Sequence, residues 1–415
     1  MAPQSNTSRT ASKKAPKSDK KSNAPATGPR RKPQDKQQQR QPVLSEESEN
    51  KIEISSTIPI ALQQLLLNVF KAALLTNSAK QHQESEGSQE ESQLDIKTLV
   101  QTLKSHLYNR DFESAFADAS GELLRAYALR WSAARALGYA GLFKSILEVL
   151  RGSSSRGARS NHVVCIGGGA GAEIVAFAAA WRELMDAEKY ELSGALCAVS
   201  LNSGEPEKSQ LSNPSLSITA VDIGDWSTVV DRLSSTIVSP NVQSSKSHAA
   251  PLVPVQSNLT VDFSRLDVLS LSDSELNSLY HTTHSSNATS TTLVTLMFTL
   301  NELFSTSMAK TTSFLFKTTD LLEAGTILLV VDSPGSYSTL KLGTSDSSGT
   351  QQERQYPMKF LLDHTLLSVA KGKWERIYSQ DSRWWRRDAA NLWYDVGEGA
   401  GLEDMRFQIH VYRRL

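Results

Sequence analysis

Three glycines at alternating positions of a short loop are the first residues whose spacing could support chemistry. They are Gly167, Gly169 and Gly171 in the segment VVCIGGGAGAE, residues 163–173. Because glycine has no side chain, such a loop turns tightly and lets a ligand approach backbone N–H groups. A structural turn needs the same residues, so the triplet alone is weak evidence. The apolar run before it and the helical pattern AEIVAFAAAWREL after it supply the strand–turn–helix context in which such loops bind nucleotide-like ligands.

Polar side chains also stand at the ends of the apolar runs that follow. Asp222 ends LSITAVD, where a carboxylate can accept both hydroxyl protons of a ribose or can cap the next helix. Asp267 closes RLDVL, Asn301 with Glu302 closes TLMFTLNEL, and Asp332 directly follows ILLVV. Since the carboxyl ends of parallel strands meet at one edge of a sheet, we expect these groups to surround one pocket beside the glycine loop.

Tryptophans and arginines form a second set of candidates. Trp226, one turn beyond Asp222, either packs beside an adenine or belongs to the core. Clustered arginines and tryptophans suit the phosphates and unpaired bases of RNA, although buried indoles with arginine heads reaching solvent give the same pattern. The candidates for RNA contact are Arg130, Trp131, Arg135, Trp384, Trp385, Arg386 and Arg387.

The elements that must position these residues follow from the apolar patterning. Short apolar runs separated by helical patterns, from HVVCIGG to GTILLVVDSPGSY, predict a parallel sheet covered on both faces, which is a doubly wound α/β fold. RLDVLSL and TLVTLMFTLNELF are predicted as its third and fourth strands, and the terminal MRFQIHVYRRL as a closing strand. Upstream, an apolar stripe at a spacing near four favours core packing of a helix. Its members are Phe112, Phe116, Leu123, Tyr127 and Trp131.

Composition and charge define the domain organisation. The chain has 44 Lys and Arg against 44 Asp and Glu, but Met1 to Pro42 holds eleven basic and two acidic residues, a net charge of +9. Because that segment has almost no apolar side chains, we predict a disordered tail that serves as a nuclear address, as a clamp on nucleic acid, or only as a solvated end. The predicted organisation is a disordered basic tail at 1–50, a helical N-terminal module at 51–155 with a polar linker near 77–93, and a Rossmann-like domain with low-complexity insertions at 156–415.

Several classes of protein are disfavoured by the same composition. Two cysteines, Cys165 and Cys197, are too few for a disulfide framework and lack zinc-ligand spacing. No apolar run approaches the roughly 20 residues of a membrane-spanning helix. We therefore expect an intracellular protein with no membrane segment and no metal.

Taken together, the strand ends resemble those of the class I S-adenosylmethionine (SAM)-dependent methyltransferases. A narrower resemblance is to the fungal methyltransferases that modify uridine N(3) of 25S ribosomal RNA. It is carried by YNRDFESAF, AYALRWSAARALGYA, FTLNELFS, LLVVDSPGSYS, RWWRRD and MRFQIHVYRR, and it spans residues 94–415 apart from the insertions. One departure is Cys165, which occupies the place of an acidic residue that often contacts the methionine ammonium.

The resemblance implies SAM as cofactor and ribosomal RNA or a pre-ribosomal particle as partner. The cofactor contacts it implies are Gly167, Gly169, Gly171, Asp222 and Asp267. To these we add Trp226 and Asn301 as cofactor contacts. Because the ring N–H of uridine is a poor nucleophile until it is deprotonated, Glu302 and Asp332 are the candidate bases, and strand-end hydrogen bonding is the alternative for both.

We expect a monomeric nuclear enzyme, in the nucleolus in particular, with the cytoplasm as an alternative. The alternative functions are an NAD(P)-dependent oxidoreductase on the same fold and a noncatalytic ribosome-assembly factor with a vestigial pocket.

Overall fold

The predicted basic tail, apart from Asn50, and the predicted linker lie outside the residues that the computed structural model describes. The described residues are 50–55, 57–75, 94–109, 111–153, 160–199, 215–284, 287–342 and 352–415.

Helices form where apolar residues recur on one face. The first begins after Pro59, a residue that fits a helix start, and buries Leu62, Leu66, Val69 and Ala73 along one side. The described helices are α1 Ile60–Leu74, α2 Ile96–Tyr108, α3 Gly121–Tyr127, α4 Ala133–Ser153, α5 Ala172–Val199, α6 Ser227–Ile237, α7 Asp273–Tyr280, α8 Leu300–Thr306, α9 Met308–Leu321 and α10 Met358–Asp363, with π-helical turns at Glu113–Ala117, Ala128–Ser132 and His364–Val369.

One large sheet organises the α/β part. Its order is β3-β2-β1-β5-β6-β10-β9, with β4 paired to the start of β5, and β7 and β8 form a separate hairpin. The five strands from β3 to β6 run parallel, whereas β10 and β9 close the sheet as an antiparallel hairpin. The strands are β1 Ser160–Ile166, β2 Ser215–Asp222, β3 Leu259–Arg265, β4 His281–His284, β5 Asn287–Met297, β6 Ile327–Asp332, β7 Tyr337–Leu342, β8 Gln352–Pro357, β9 Trp374–Trp385 and β10 Met405–Arg414.

Helices cover both faces of this sheet, which confirms the doubly wound prediction. All of β6 is buried, and its side chains alternate between two cores: Ile327, Leu329 and Val331 face one, and Leu328 and Val330 face the other. Helices α1, α4, α5 and α6 contribute to the first core and α7 to α10 to the second. Since the N-terminal helices share a core with the sheet, they hold the segment 111–135 against its carboxyl edge.

Two strand predictions were placed too late in the chain. The third strand is β3, and the predicted RLDVLSL follows it as a link to α7. As an edge strand, β3 has alternating exposed residues such as Thr260 and Asp262, so it lacks the continuous apolar run that marks a central strand. The fourth strand, β5, ends at Met297, and Asn301 and Glu302 lie in the first turn of α8.

Candidate active site

A cavity of about 390 Å³ opens at the carboxyl edge of the parallel strands, beneath the segment 111–135. Apolar and aromatic side chains form more than half of its lining, and acidic and other polar side chains form most of the remainder. Of the candidates named from sequence, those that line it are Gly167, Asp222, Trp226, Asp267, Asn301, Glu302, Asp332, Trp131 and Arg135.

The glycine loop is joined to β2 by a backbone hydrogen bond and packs closely against its neighbours. Gly167 has a φ of 77° and its N–H donates to the Val221 carbonyl at 2.7 Å. A Cβ on Gly167 would lie 2.3 Å from Thr299 Oγ1, so this position tolerates no side chain. A Cβ on Gly169 would meet the Trp226 ring at 2.2 Å, and one on Gly171 would meet a methyl of Leu233 at 2.1 Å. The second and third glycines are therefore required by packing, and the first faces the cavity.

Asp222 holds the loop from the end of β2. Its carboxylate accepts from the N–H of Gly169 at 3.2 Å and from the N–H of Gly224 at 3.1 Å. Burial raises the pKa of Asp222, while these backbone hydrogen bonds oppose the rise. An ionised carboxylate has about four lone-pair directions, so acceptor capacity is left over for a ligand.

Asp267 and Asn301 reach the cavity from its other sides. Asp267 lies two residues beyond β3, is exposed, and accepts from Leu269 N–H at 3.0 Å and from the Ser270 hydroxyl at 2.5 Å. The Oδ1 of Asn301 is buried and has no hydrogen-bond partner among the described residues. Because an unpaired buried acceptor is costly, Asn301 is suited to a ligand that carries N–H donors.

The two candidate bases are placed differently. Asp332 is 3% exposed and accepts from the N–H groups of Asn301 at 3.0 Å and Ser333 at 2.7 Å and from the Ser336 hydroxyl at 3.3 Å. Burial raises its pKa. The hydrogen bond to Asn301 connects β6 to the start of α8, so Asp332 has a structural role. Glu302 is partly exposed on the cavity wall and is the more accessible carboxylate.

Aromatic rings form the wall opposite the strands. Tyr127 contacts Phe116, Trp131 and Trp226 with ring centroids 5.2, 4.9 and 5.6 Å apart. Phe112 belongs to the same wall. The predicted core stripe is therefore largely a cavity wall. Two π-helical turns carry Phe116 and Trp131, and such turns are frequent at functional sites because they redirect side chains.

The predicted RNA contacts divide into separate groups. Trp131 and Arg135 line the cavity, whereas Arg130 turns away, donates to the Gly401 carbonyl at 3.2 Å and pairs with Glu403. The remaining four lie at the end of β9, with Trp384 and Trp385 as its last residues and Arg386 and Arg387 directly after it. Trp384 is 50% exposed, whereas Trp385 is buried. Arg386 pairs with Asp404 at 3.0 Å, and its guanidinium lies 4.6 Å from the Trp384 ring centroid. The backbone N–H of Arg387 donates to Asp404 at 3.2 Å.

Sequence reasoning missed Glu173. It is 3% exposed in the first turn of α5, accepts from the Thr295 hydroxyl, and lies beside the Cys165 thiol beneath the glycine loop. A Cβ on Gly168 would approach both Cys165 and Glu173, at 2.6 and 3.0 Å. A lone carboxylate in the otherwise apolar AEIVAFAAAW was the available signal. Cys165 stands where the resembling methyltransferases often have an acidic residue. Glu173 places an acidic group next to that position, but behind the glycine loop.

Glu173→Gln is expected to stabilise the protein more at pH 8 than at pH 5. Burial raises the pKa of Glu173 from 4.5 to about 7. As pH rises between these values, the unfolded chain loses this proton and the folded chain keeps it, so stability falls and stays low above pH 7. An amide avoids this loss, so the free energy of unfolding should rise by about 2 to 3 kcal/mol relative to the wild type over that interval.

Urea unfolding followed by tryptophan fluorescence at pH 5 and pH 8 measures this difference. Glu183→Gln is the matched control: Glu183 lies on α5 like Glu173, and its carboxylate pairs with Lys144 of α4 at 3.5 Å. An equal change in both variants would contradict a special role for burial at Glu173.

Within the described residues, no helix is long and apolar enough to cross a membrane. The same residues contain no group of three or more His, Cys, Asp or Glu side chains arranged to hold a metal ion.

Comparison with known proteins decides the family. A family described as SAM-dependent methyltransferase matches residues 76–413. A curated relative from Saccharomyces cerevisiae, named 25S rRNA (uridine(2843)-N(3))-methyltransferase, is 31% identical over 365 residues, which is 86% of either chain. The chain belongs to this methyltransferase family. Both the predicted family and the predicted cofactor are confirmed, and the alternative functions gain no support.

Two solved methyltransferase structures are similar to this chain at low sequence identity. A SAM-dependent methyltransferase from Methanosarcina mazei is 10% identical with a TM-score of 0.30, over 62% of this chain and 93% of that one. An O-methyltransferase family protein from Burkholderia thailandensis is 12% identical with a TM-score of 0.33, over 84% of this chain and 82% of that one. The strand order of the methyltransferase itself therefore carries the fold assignment.

The cavity of the methyltransferase fits SAM chemically. SAM has ribose hydroxyls, a flat adenine, an ammonium group and a carboxylate. Asp222 offers an acceptor for hydroxyl groups, the aromatic wall offers flat apolar surfaces, and the unpaired Oδ1 of Asn301 offers an acceptor for N–H donors.

Proposed function

We propose that the methyltransferase transfers a methyl group from SAM to N(3) of a uridine in large-subunit ribosomal RNA. The name of the yeast relative gives that activity, and the two chains match over 86% of their lengths. The structural observation that supports the proposal is a single cavity that presents both Asp222 and Glu302 within a wall of aromatic rings. The proposed cofactor site and a candidate base would thereby share one cavity.

The cofactor side of this cavity is assigned to the strand ends. Asp222 would accept the ribose hydroxyl protons, with Asp267 further along the same edge towards the adenine. The Oδ1 of Asn301 would accept from the methionine ammonium. Trp226, which is 1% exposed, would support the glycine loop from below through its contact with Gly169.

Proton removal and alignment are the tasks left to the chain. SAM supplies an electrophilic methyl carbon bound to a positively charged sulfur. The Glu302 carboxylate would accept the proton of uridine N3–H, which leaves the nitrogen lone pair free to take up the methyl group that SAM would supply. Asp332, through its bond to Asn301 N–H, fixes the turn that carries Glu302. Alignment and a positioned base account for the acceleration.

RNA is proposed to enter from the aromatic side. Trp131 would stack on the unpaired target uridine, since base–aromatic stacking tolerates a base withdrawn from its helix. Arg386 and Arg387 would contact phosphates outside the cavity, because the hairpin of β9 and β10 turns back at the same edge of the sheet. The basic N-terminal tail supports a nuclear and nucleolar location.

Two measurements test the proposal. Isothermal titration should show binding of SAM and S-adenosylhomocysteine and none of NADH; binding of NADH alone would refute it. Large-subunit ribosomal RNA from cells lacking the protein should gain 3-methyluridine when incubated with the protein and SAM, as measured by nucleoside mass spectrometry. A protein that binds SAM but leaves this RNA unmodified would refute the assignment of substrate.

A further inference from the structure

Arg135 is the single basic residue among the described residues that line the cavity, where four carboxylates also lie. It belongs to the first turn of α4. The sequence grouped it with Trp131 as an RNA contact, but the structure places its guanidinium within the cavity wall. Its charge therefore faces the space in which a small ligand would bind.

Neighbouring rings fix the guanidinium in place. Its Nη1 donates to the Tyr127 hydroxyl at 2.7 Å, and its central carbon lies 5.7 Å from the Tyr127 ring centroid and 5.1 Å from that of Phe298. Phe298 itself has a φ of 60°, a left-handed conformation rare for a bulky residue, and it directly follows β5. Backbone conformations of this kind persist where the surrounding structure holds them and cluster at ligand sites.

Most of the donor capacity of Arg135 remains for a ligand. A guanidinium carries five N–H donors, of which the bond to Tyr127 uses one. The planar fork matches a carboxylate, which it binds through two parallel hydrogen bonds. The carboxylate of a small ligand is therefore enough to pair with the Arg135 guanidinium, without a phosphate or an RNA strand.

Asp222 and Arg135 lie on different sides of the proposed cofactor site. Asp222 marks the side of β2, where the ribose is assigned. Arg135 lies beside Phe298, on the side of β5, and its charge acts on Glu302, Asp332 and Glu173. The carboxylate of a bound amino-acid group would be repelled by those acids unless a cation neutralised it.

We infer that Arg135 binds the carboxylate of the methionine portion of SAM and does not contact RNA. This inference rests on the proposed function and adds a specificity-determining residue to it. Arg135 thereby distinguishes the amino-acid-bearing cofactor from adenosine derivatives that lack this group.

Two ligands that differ by the amino-acid group test the inference. S-adenosylhomocysteine carries the carboxylate, and 5′-methylthioadenosine has the same adenosine and thioether without it. In isothermal titration of the full chain, Arg135→Gln should weaken S-adenosylhomocysteine about 30- to 100-fold and leave 5′-methylthioadenosine within about twofold. Arg135→Lys should recover part of the loss, because it restores the charge without the fork.

Arg413→Gln is the matched control. Arg413 pairs in register with Ile327, at the opposite edge of the sheet, so its loss should change neither affinity. Retained 5′-methylthioadenosine binding also shows that the cavity of Arg135→Gln is folded.

Other results would overturn the inference. An equal loss for both ligands would make Arg135 a structural residue. Unchanged S-adenosylhomocysteine affinity with weaker RNA binding would return it to the RNA interface. A wild-type chain that binds no S-adenosylhomocysteine would refute the proposed function itself, which is a different outcome from either.

Discussion

Glu302→Gln is expected to lower the rate of methyl transfer by at least about 100-fold while S-adenosylhomocysteine affinity stays within about threefold. The amide is close in shape to the carboxylate but cannot accept the N3 proton of uridine. Glu302 lines the cavity at the start of α8, so the change leaves the loop and Asp222 in place. Single-turnover transfer from labelled SAM to unmodified ribosomal RNA measures the rate.

The pH dependence of that rate separates a base from a merely structural residue. Without a protein base, deprotonation relies on hydroxide, so the residual rate of Glu302→Gln should rise about tenfold per pH unit in alkaline buffer. Asp332→Asn is the comparison, because Asp332 already accepts hydrogen bonds from Asn301, Ser333 and Ser336. It should lower stability more than it changes the shape of the pH profile. A rate loss confined to Asp332→Asn would reverse the two roles.

Asp222→Ala is expected to weaken S-adenosylhomocysteine binding by about 100-fold or more. A hydrogen bond to a charged group contributes about 1.5 to 3 kcal/mol, and Asp222 would make such bonds to a ribose as well as to the N–H of Gly169. The substitution removes the ligand contact and releases the glycine loop together, so the effects add. Isothermal titration measures the affinity, and Asp222→Asn, which can still accept from the loop, should retain more of it.

Asp225→Ala is the control for this prediction. Asp225 is an exposed carboxylate three residues further on, where it accepts from Ser227 at the start of α6. It does not line the cavity, so its removal should leave cofactor affinity within about twofold. Equal losses in Asp222→Ala and Asp225→Ala would point to the turn as a whole and would contradict a direct ribose contact.

The central strands could be predicted from sequence because each is buried on both faces. β1, β2 and β6 are buried along most of their lengths and contain runs of apolar residues, and Asp222 and Asp332 end their strands as predicted. The edge strand β3 could not be found in the same way, because one face is exposed and its polar residues interrupt the apolar run. The start of α8 was missed because its first residue, Leu300, extends the largely apolar run from β5 without a visible break.

The candidate site was predictable only as a set of strand ends. The sequence suggested that Asp222, Asn301 and Glu302 belong to one pocket, and they do line one cavity. It gave no means to tell Asp332, whose oxygens are taken up by backbone N–H groups, from Glu302. The availability of a carboxylate depends on which groups fold against it, and those come from elsewhere in the chain.

By itself, the sequence determined the α/β architecture, the methyltransferase family, and the acidic residues that follow the strands, because periodicity and local motifs record burial and turns. Tertiary structure alone decided the rest. The aromatic stripe predicted as core forms the wall of a cavity, and Glu173 lies beside Cys165. Arg135 lines that cavity, whereas Arg130, five residues before it, points away and donates to the Gly401 carbonyl. The direction in which a side chain points, and the group it meets there, follow from packing between segments far apart in the chain.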